Sequence, residues 1–281
     1  MTETINQQKP ESHSEKLSEK KKASPKLIFI LGLVCGIVLV SLIIFILLLI
    51  LSSEQPKFSQ TNQPVKEEQN KEETKESSFD APDKKIAEMK FFVMSFCPFG
   101  QQAEKGIIPV ARLMGEKAKI EPHFVIYSNY GSPKEKYCLD KEAKYCSMHG
   151  LSEIKEDVRQ LCLWKYQPEK WWDYVEKIDN TCRLDDIDTC WEKVAKEVGV
   201  NIKKIKKCFN QEAKDLLAEE LKLNKKYGVR GSPQVFINDK EYSGSRSPEA
   251  YKQALCSGFK NPPKECQQKL EESGGSAKGG C

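Results

Sequence analysis

Between Met89 and Gln102 the chain reads Met-Lys-Phe-Phe-Val-Met-Ser-Phe-Cys-Pro-Phe-Gly-Gln-Gln. No other stretch limits the fold as much. Phe91, Phe92, Val93, Met94 and Phe96 form a short apolar, aromatic-rich run, the pattern of a strand buried in an α/β sheet. Cys97 ends the run and Pro98 follows at once. Proline suits the first turn of a helix, where the N–H it lacks has no intrahelical partner. Ala103, Ile107, Val110, Ala111 and Met114 then recur at helical spacing. Cys97 is therefore expected where a strand hands over to a helix N-terminus. The positive end of the helix dipole favours a thiolate there, and the thiolate is the nucleophilic form.

A second strand is expected from Ala118 to Tyr127, on Ile120, Phe124, Val125 and Ile126. Strand, helix and strand at this spacing make a βαβ unit with a right-handed crossover. Further on, Ser232 and Pro233 lead into an apolar strand, Gln234 to Asn238. An edge strand, Glu241 to Ser243, closes a hairpin across Asn238-Asp239-Lys240. Ser247-Pro248-Glu249 opens a last helix through Leu255.

The segment between Tyr127 and Ser232 is too long for a bare loop. Helical stripes run through it: Leu151, Ile154, Val158, Leu161; then Trp171, Val175, Ile178, Cys182; then Ile187, Trp191, Val194, Val198, ended by Gly199. A fourth begins at Ile202, Ile205 and Phe209 and is followed by Leu216, Leu217 and Leu221. The reading is an inserted helical subdomain, about residues 128–226. Trp164, Trp171, Trp172 and Trp191 are read as its core or its interface.

Residues 27–51 carry no charge over 25 positions. As a helix that is about 37 Å, enough to span a hydrocarbon core of about 30 Å with tilt. A cleaved signal peptide has a shorter apolar region, about 7–15 residues, so the window reads as a transmembrane anchor. Lysines 9, 16, 20, 21, 22 and 26 precede it, in a polar segment, 1–26, expected to be a disordered cytoplasmic tail. Residues 52–85 are rich in Ser, Gln, Glu, Lys and Pro and read as a flexible linker, outside the cytoplasm with all that follows. The domain proper is expected over 86–267, and 268–281 reads as a flexible Gly- and Ser-bearing tail. No Asn-x-Ser/Thr acceptor occurs among the asparagines. That leans toward a prokaryotic cell surface or periplasm, with a lumen the other setting of this topology.

Net charge is +4, with Lys and Glu interspersed. There is no basic stripe with interleaved aromatics, so nucleic acid is not an expected partner. Eleven cysteines are present, ten of them after the apolar window. Outside the cytoplasm such density reads as a disulfide framework. Cys138 and Cys146 lie eight apart, as do Cys182 and Cys190. Cys182 closes one helical stripe and Cys190 opens the next. Cys256 and Cys266 bracket the C-terminal segment, and Cys162 and Cys208 sit on different helices of the insert. The expected bridges are Cys138–Cys146, Cys162–Cys208, Cys182–Cys190 and Cys256–Cys266. Zinc is the competing use, but no Cys-x-x-Cys occurs and the three histidines form no paired spacing, so no metal or other cofactor is expected. Cys97 and Cys281 are left over.

A strand-Cys97-Pro98-x-x-helix with a later Gly231-Ser232-Pro233-Gln-Val-Phe-Ile strand resembles the thioredoxin fold, and the helical insert resembles that of disulfide-bond-forming members. The resemblance implies that Pro233 is cis and faces Cys97. It also puts the family's second active-site cysteine at position 100, where this chain has Gly100. A narrower resemblance rests on Arg159-Gln-Leu-Cys162, Trp171-Trp-Asp-Tyr-Val175, Cys182 with Cys190, Ile205-Lys-Lys-Cys208 and Leu255-Cys-Ser-Gly-Phe259. These are similar to the Cys-rich lumenal region of plant vacuolar sorting receptors. Cys146-Ser-Met-His149-Gly150-Leu-Ser-Glu153 resembles, more loosely, the Cys-Gln-His-Gly-x-x-Glu-Cys signature of gamma-interferon-inducible lysosomal thiol reductases. Here Ile154 stands near the place of its second cysteine, and His149 is read as a helix-start or packing residue.

Three roles are open to Cys97. In thiol–disulfide exchange it attacks a disulfide of a protein substrate, and release then needs an outside thiol, a substrate thiol or Cys281. In a redox-inactive binding module, the backbone beside Pro233 takes an extended peptide, as in a receptor or assembly factor. In the third, Cys97 is a buried free cysteine of the core. The expected architecture is a thioredoxin-like α/β domain with a disulfide-stapled helical insert, behind one transmembrane helix.

Overall fold

The computed structural model describes residues 79–277, 279 and 280. The expected anchor at 27–51 and most of the linker lie outside them. Among the described residues no helix is long and apolar enough to cross a membrane.

Four strands among these residues form one sheet in the order β2-β1-β3-β4. β1 is Glu88–Val93, β2 is Lys119–Phe124, β3 is Gln234–Ile237 and β4 is Lys240–Tyr242. β1 runs parallel to β2, with Val93 opposite Phe124, and antiparallel to β3, with Phe92 opposite Gln234. The apolar run thus takes a central place, and its alternation sends Phe91 and Phe92 to opposite faces. Phe91 meets the indoles of Trp171 and Trp172, while Phe92 stacks on His123 and stands edge-on to Phe236. The turn between β3 and β4 is Asn238-Asp239, with φ of 48° and 70°. Two such residues make the tight hairpin that matches strand twist, and Lys240 already belongs to β4.

Six α-helices complete the described part. α1 is Pro98–Met114, and α2 (Leu151–Tyr166), α3 (Pro168–Thr181) and α4 (Ile187–Glu197) form the insert with α5, Ile202–Tyr227. α6 is Pro248–Ser257, capped by Ser247, whose hydroxyl accepts the Ala250 N–H at 3.2 Å. The fourth stripe and the leucines after it form one 26-residue helix, since nothing between Phe209 and Leu216 breaks it. The fold is thioredoxin-like, with disulfide-stapled helices. Cys162–Cys208 joins α2 to α5, and Cys182–Cys190 closes the turn from α3 to α4. Cys138–Cys146 pins the loop after β2, and Cys256–Cys266 ties α6 to the segment behind it. Asp186 lies close to Cys182 and Cys190, but those sulfurs are bonded to each other and offer no thiolate.

β2 is an edge strand, and α5 supplies what its outer side lacks. Glu220 accepts the Phe124 N–H at 2.9 Å, and Asn224 both accepts from Ile126 N–H and donates to the Phe124 carbonyl. The edge is thereby closed to a further strand. At the other end, the packed domain starts earlier than the composition suggests. Phe79 stands edge-on to Tyr242, Ala81 N–H donates to Ser257 Oγ, and Lys84 forms a parallel bridge with Phe259. The apolar Phe79 and Ala81 carry the change, because each finds a place against α6 or β4.

Candidate active site

Cys97 is the N-cap of α1, with φ −72° and ψ 121°, and Pro98 is the first helical residue. The Gln101 N–H donates to the Cys97 carbonyl at 2.9 Å, which starts the helix on Cys97 itself. Ser232 and Pro233, joined by a cis peptide bond, lie directly opposite. The Cys97 sulfur is 3.5 Å from the Ser232 carbonyl oxygen, and the Ser232 hydroxyl accepts the Met94 N–H at 2.9 Å. Residues far apart in sequence, Cys97, Pro98, Ser232 and Pro233, are thus brought to one place. Cys97 is wholly buried and is disulfide-bonded, although none of the four bridges above includes it.

Gly100 stands one helical turn from Cys97, facing the same loop. A Cβ there would lie 2.6 Å from Ser232 Oγ and 3.0 Å from the Met94 carbonyl oxygen. The volume of a second cysteine's side chain is therefore taken up by Ser232. Position 100 lacks a thiol and also lacks room for one.

Beneath the site lies a set of acidic residues that the periodicity does not reveal. Asp157 of α2 accepts the Ser95 hydroxyl at 2.6 Å and the Ser95 N–H at 3.3 Å. Glu153, one turn earlier, accepts the Phe96 N–H at 2.8 Å, and its other oxygen takes the Ser147 hydroxyl. His149 Nδ1 approaches the same carboxylate at 2.8 Å, so His149 sits at the start of α2 as a partner of Glu153. The insert therefore holds the two residues that precede Cys97.

Burial pushes the Asp157 carboxyl well above the usual carboxylate range, and repulsion from Glu153 adds to it, while the Ser95 hydrogen bonds oppose it. Glu104 of α1 is pushed up in the same way, by burial and then by Asp179 and Asp157. Among the described residues its two oxygens have no hydrogen-bond partner. Burial thus favours the neutral form of both Asp157 and Glu104. The one sequence signal for this layer is Glu153, Glu156 and Asp157 flanking the apolar stripe of α2.

On the outer side, Gln102 and Arg246 continue the site along α1. Arg246 donates to Gln102 Oε1 at 3.0 Å, and its guanidinium lies over the Phe99 ring. The tail also comes here. Leu270 N–H donates to Glu249 Oε2 at 2.7 Å, Gln102 Nε2 donates to the Gly275 carbonyl at 2.6 Å, and Gly279 lies against Pro98. Residues whose composition predicts a flexible tail are laid across the first turns of α1.

The chain is similar to several known proteins. The family model described as the vacuolar sorting receptor thioredoxin-like domain matches residues 111–256. Vacuolar-sorting receptor 5 of Arabidopsis thaliana is 28% identical over 202 residues, which covers 60% of this chain and 31% of that protein. Vacuolar-sorting receptor 4 of the same plant is 33% identical over 144 residues, or 45% of this chain and 23% of that protein. This chain thus spans less than a third of either relative's length. Among solved structures, reduced DsbA from Mycobacterium tuberculosis superposes with a TM-score of 0.45 at 15% identity, over 67% of this chain and 95% of that one. The family match starts within α1, so it takes in the insert, with its three internal bridges, and the Ser232-Pro233 loop, and it leaves Cys97 outside. On that match, this chain belongs to the vacuolar sorting receptor thioredoxin-like domain family.

Proposed function

We propose that this domain performs thiol–disulfide exchange through Cys97, outside the cytoplasm and tethered by a span at residues 27–51. The observation that carries this reading is the Cys97 sulfur itself. It sits at the N-cap of α1, 3.5 Å from the Ser232 carbonyl, and is engaged in a disulfide rather than packed as an inert core thiol. In the reduced protein the α1 N-terminus favours the thiolate. That thiolate attacks one sulfur of a substrate disulfide. The substrate S–S bond breaks, a mixed disulfide forms on Cys97, and the other substrate sulfur leaves as a thiolate that takes a proton from water. Substrates are proteins or peptides able to lie extended beside the Ser232-Pro233 loop.

The test is adduct formation on the reduced full-length protein by a peptide disulfide, mapped by mass. Adduct at Cys97, and none in a folded Cys97→Ser variant, is the expected result. A folded protein whose Cys97 gives no adduct, where a free cysteine peptide does, overturns the reading. The second reading is a peptide-binding module without redox turnover. Membership of a domain family named for sorting receptors favours it. It expects Cys97→Ser to bind extended peptides as well as wild type, and peptide binding lost in Cys97→Ser counts against it.

A further inference from the structure

Resting on the reading above that an extended polypeptide lies beside the Ser232-Pro233 loop, we propose that this loop opens into a groove selecting acidic segments. The groove receives an Asp or Glu side chain that lies a few residues from the substrate's reacting cysteine. It begins where α5 ends. Gly228, with φ 62°, turns the chain after Tyr227, and Val229 and Arg230 then run toward Ser232. The groove has a volume of about 630 Å³, and Ile126, Leu221 and Val229 give it an apolar floor. It is continuous with the site at two points. Val229 packs against the apolar cluster that contains Cys97, and Gln234, which lines the groove, directly follows Pro233.

Two cations line this groove, Arg230 and Lys225, and both are exposed. The backbone of Arg230 is fixed from both sides. Its N–H donates to Gln234 Oε1 at 3.0 Å, and its carbonyl accepts the Tyr127 hydroxyl at 3.2 Å. Neither bond uses the guanidinium. The surrounding carboxylates are already engaged. Glu241, the one acid among the described lining residues, accepts from Gln234 Nε2 at 2.9 Å. Asp239 pairs with Lys84 and accepts the Tyr227 hydroxyl, Glu219 pairs with Lys222, and Glu220 is buried on the Phe124 N–H. Among the described residues neither Arg230 nor Lys225 forms an ion pair. Unpaired cations above an apolar floor complement a peptide that carries a carboxylate beside an apolar residue, and the guanidinium fork can take both carboxylate oxygens. The spacing suits an extended strand. The Cys97 sulfur is 3.5 Å from the Ser232 carbonyl, and Arg230 is two residues away. Side chains two apart on an extended chain share a face about 7 Å apart, so an acid two to four residues from the substrate cysteine meets Arg230 or Lys225.

The test uses pairs of short peptide disulfides that differ only in Asp against Asn, placed two to four residues to either side of the cysteine. Two quantities are read on the full-length protein: affinity in the Cys97→Ser variant, by fluorescence anisotropy, and the rate of adduct formation on reduced wild type. The Asp peptide of at least one pair is expected to be preferred at least about fivefold, the scale of one or two exposed ion pairs. The preference should shrink as salt is raised. It should be lost in Arg230→Gln with Lys225→Gln, substitutions that leave the Arg230 backbone bonds in place. Lys196→Gln, an equal change of charge on α4 and outside the groove, should keep it. A ratio near one in both readouts overturns the proposal, as does a preference that survives loss of Arg230 and Lys225 or disappears in Lys196→Gln. Absence of both binding and adduct overturns it too. The exchange reading fails separately. An Asp preference in affinity with no adduct on wild-type Cys97 upholds the groove and overturns exchange, and adducts formed equally fast by both peptides of every pair, with equal affinities, do the reverse.

Discussion

The Glu153 carboxylate accepts the Phe96 N–H at 2.8 Å, so a helix of the insert grips the residue immediately before Cys97. The same group takes the Ser147 hydroxyl. Glu153→Ala leaves both donors without an acceptor in a buried setting, at about 1–3 kcal/mol for each. Stability from urea denaturation is expected to fall by at least about 2 kcal/mol, and less in Glu153→Gln, which keeps one side-chain oxygen. Equal losses in the two variants would count against the acceptor role.

His149 is held above its ordinary range by its hydrogen bond to Glu153, with burial opposing it. A histidine whose folded pKa is raised stabilises fully below its unfolded value, about 6.5, and loses that contribution as pH rises through the folded value. The stability gap between wild type and His149→Gln should therefore narrow from pH 5.5 to pH 9. A gap that is constant or widening would remove the charged pair from the account.

Glu104 titrates with the opposite consequence for mutation. Burial, then Asp179 and Asp157, push its carboxyl well above the usual range, so the folded state holds the proton to higher pH than the unfolded state does. Stability tied to that proton is complete below the unfolded value, about 4.3, and declines as pH rises toward the folded one. Glu104→Gln should raise the melting temperature at pH 8 and leave it nearly unchanged at pH 4. Thermal denaturation at the two pH values decides it, and destabilisation at pH 8 is the outcome that refutes it.

Gly100 and Ser232 compete for one volume. Gly100→Ala should cost about 1–3 kcal/mol, as overpacking does. Ser232→Ala clears the nearest atom, so the double variant should be less destabilised than the sum of the singles. Strict additivity in a double-mutant cycle would show that the two side chains do not meet.

Two bridges of the insert differ in what they restrain. Cys162–Cys208 spans 46 residues and Cys182–Cys190 spans 8. Loop-closure entropy gives about 4 kcal/mol for the longer and about 2.5 kcal/mol for the shorter. Paired Cys→Ala variants, compared by denaturant midpoint, should follow that order. A reversed order would place the stabilisation outside chain entropy.

Much of this was legible because the relevant signals are local. The apolar run to Cys97, Pro98 at a helix start and the stripe Leu151, Ile154, Val158, Leu161 each follow from periodicity within a few residues. The placement of Glu153, Asp157 and Glu104 was not legible. A carboxylate is by default exposed, and only the three-dimensional setting of Ser95 and Phe96 gives these groups a reason to be inside. The tail eluded composition for a related cause. Gly274, Gly275 and Gly279 read as flexibility, yet the same lack of side chains lets the backbone lie flat on Arg246, Gln102 and Pro98. Phe79 and Ala81 were too few to stand out against the polar residues before them.

Asn238 also bears on how the domain responds to load. Its side chain accepts from the Glu88 N–H and donates to the carbonyls of Pro82 and Gly258, while Lys84 bridges to Phe259 beside them. Tension entering at Phe79 meets the Tyr242 and Ser257 contacts and then this clasp, and so passes into α6 and the β3–β4 hairpin. Cys97 lies beyond the other end of β1, so load taken up by Asn238 enters the sheet at the end away from the sulfur.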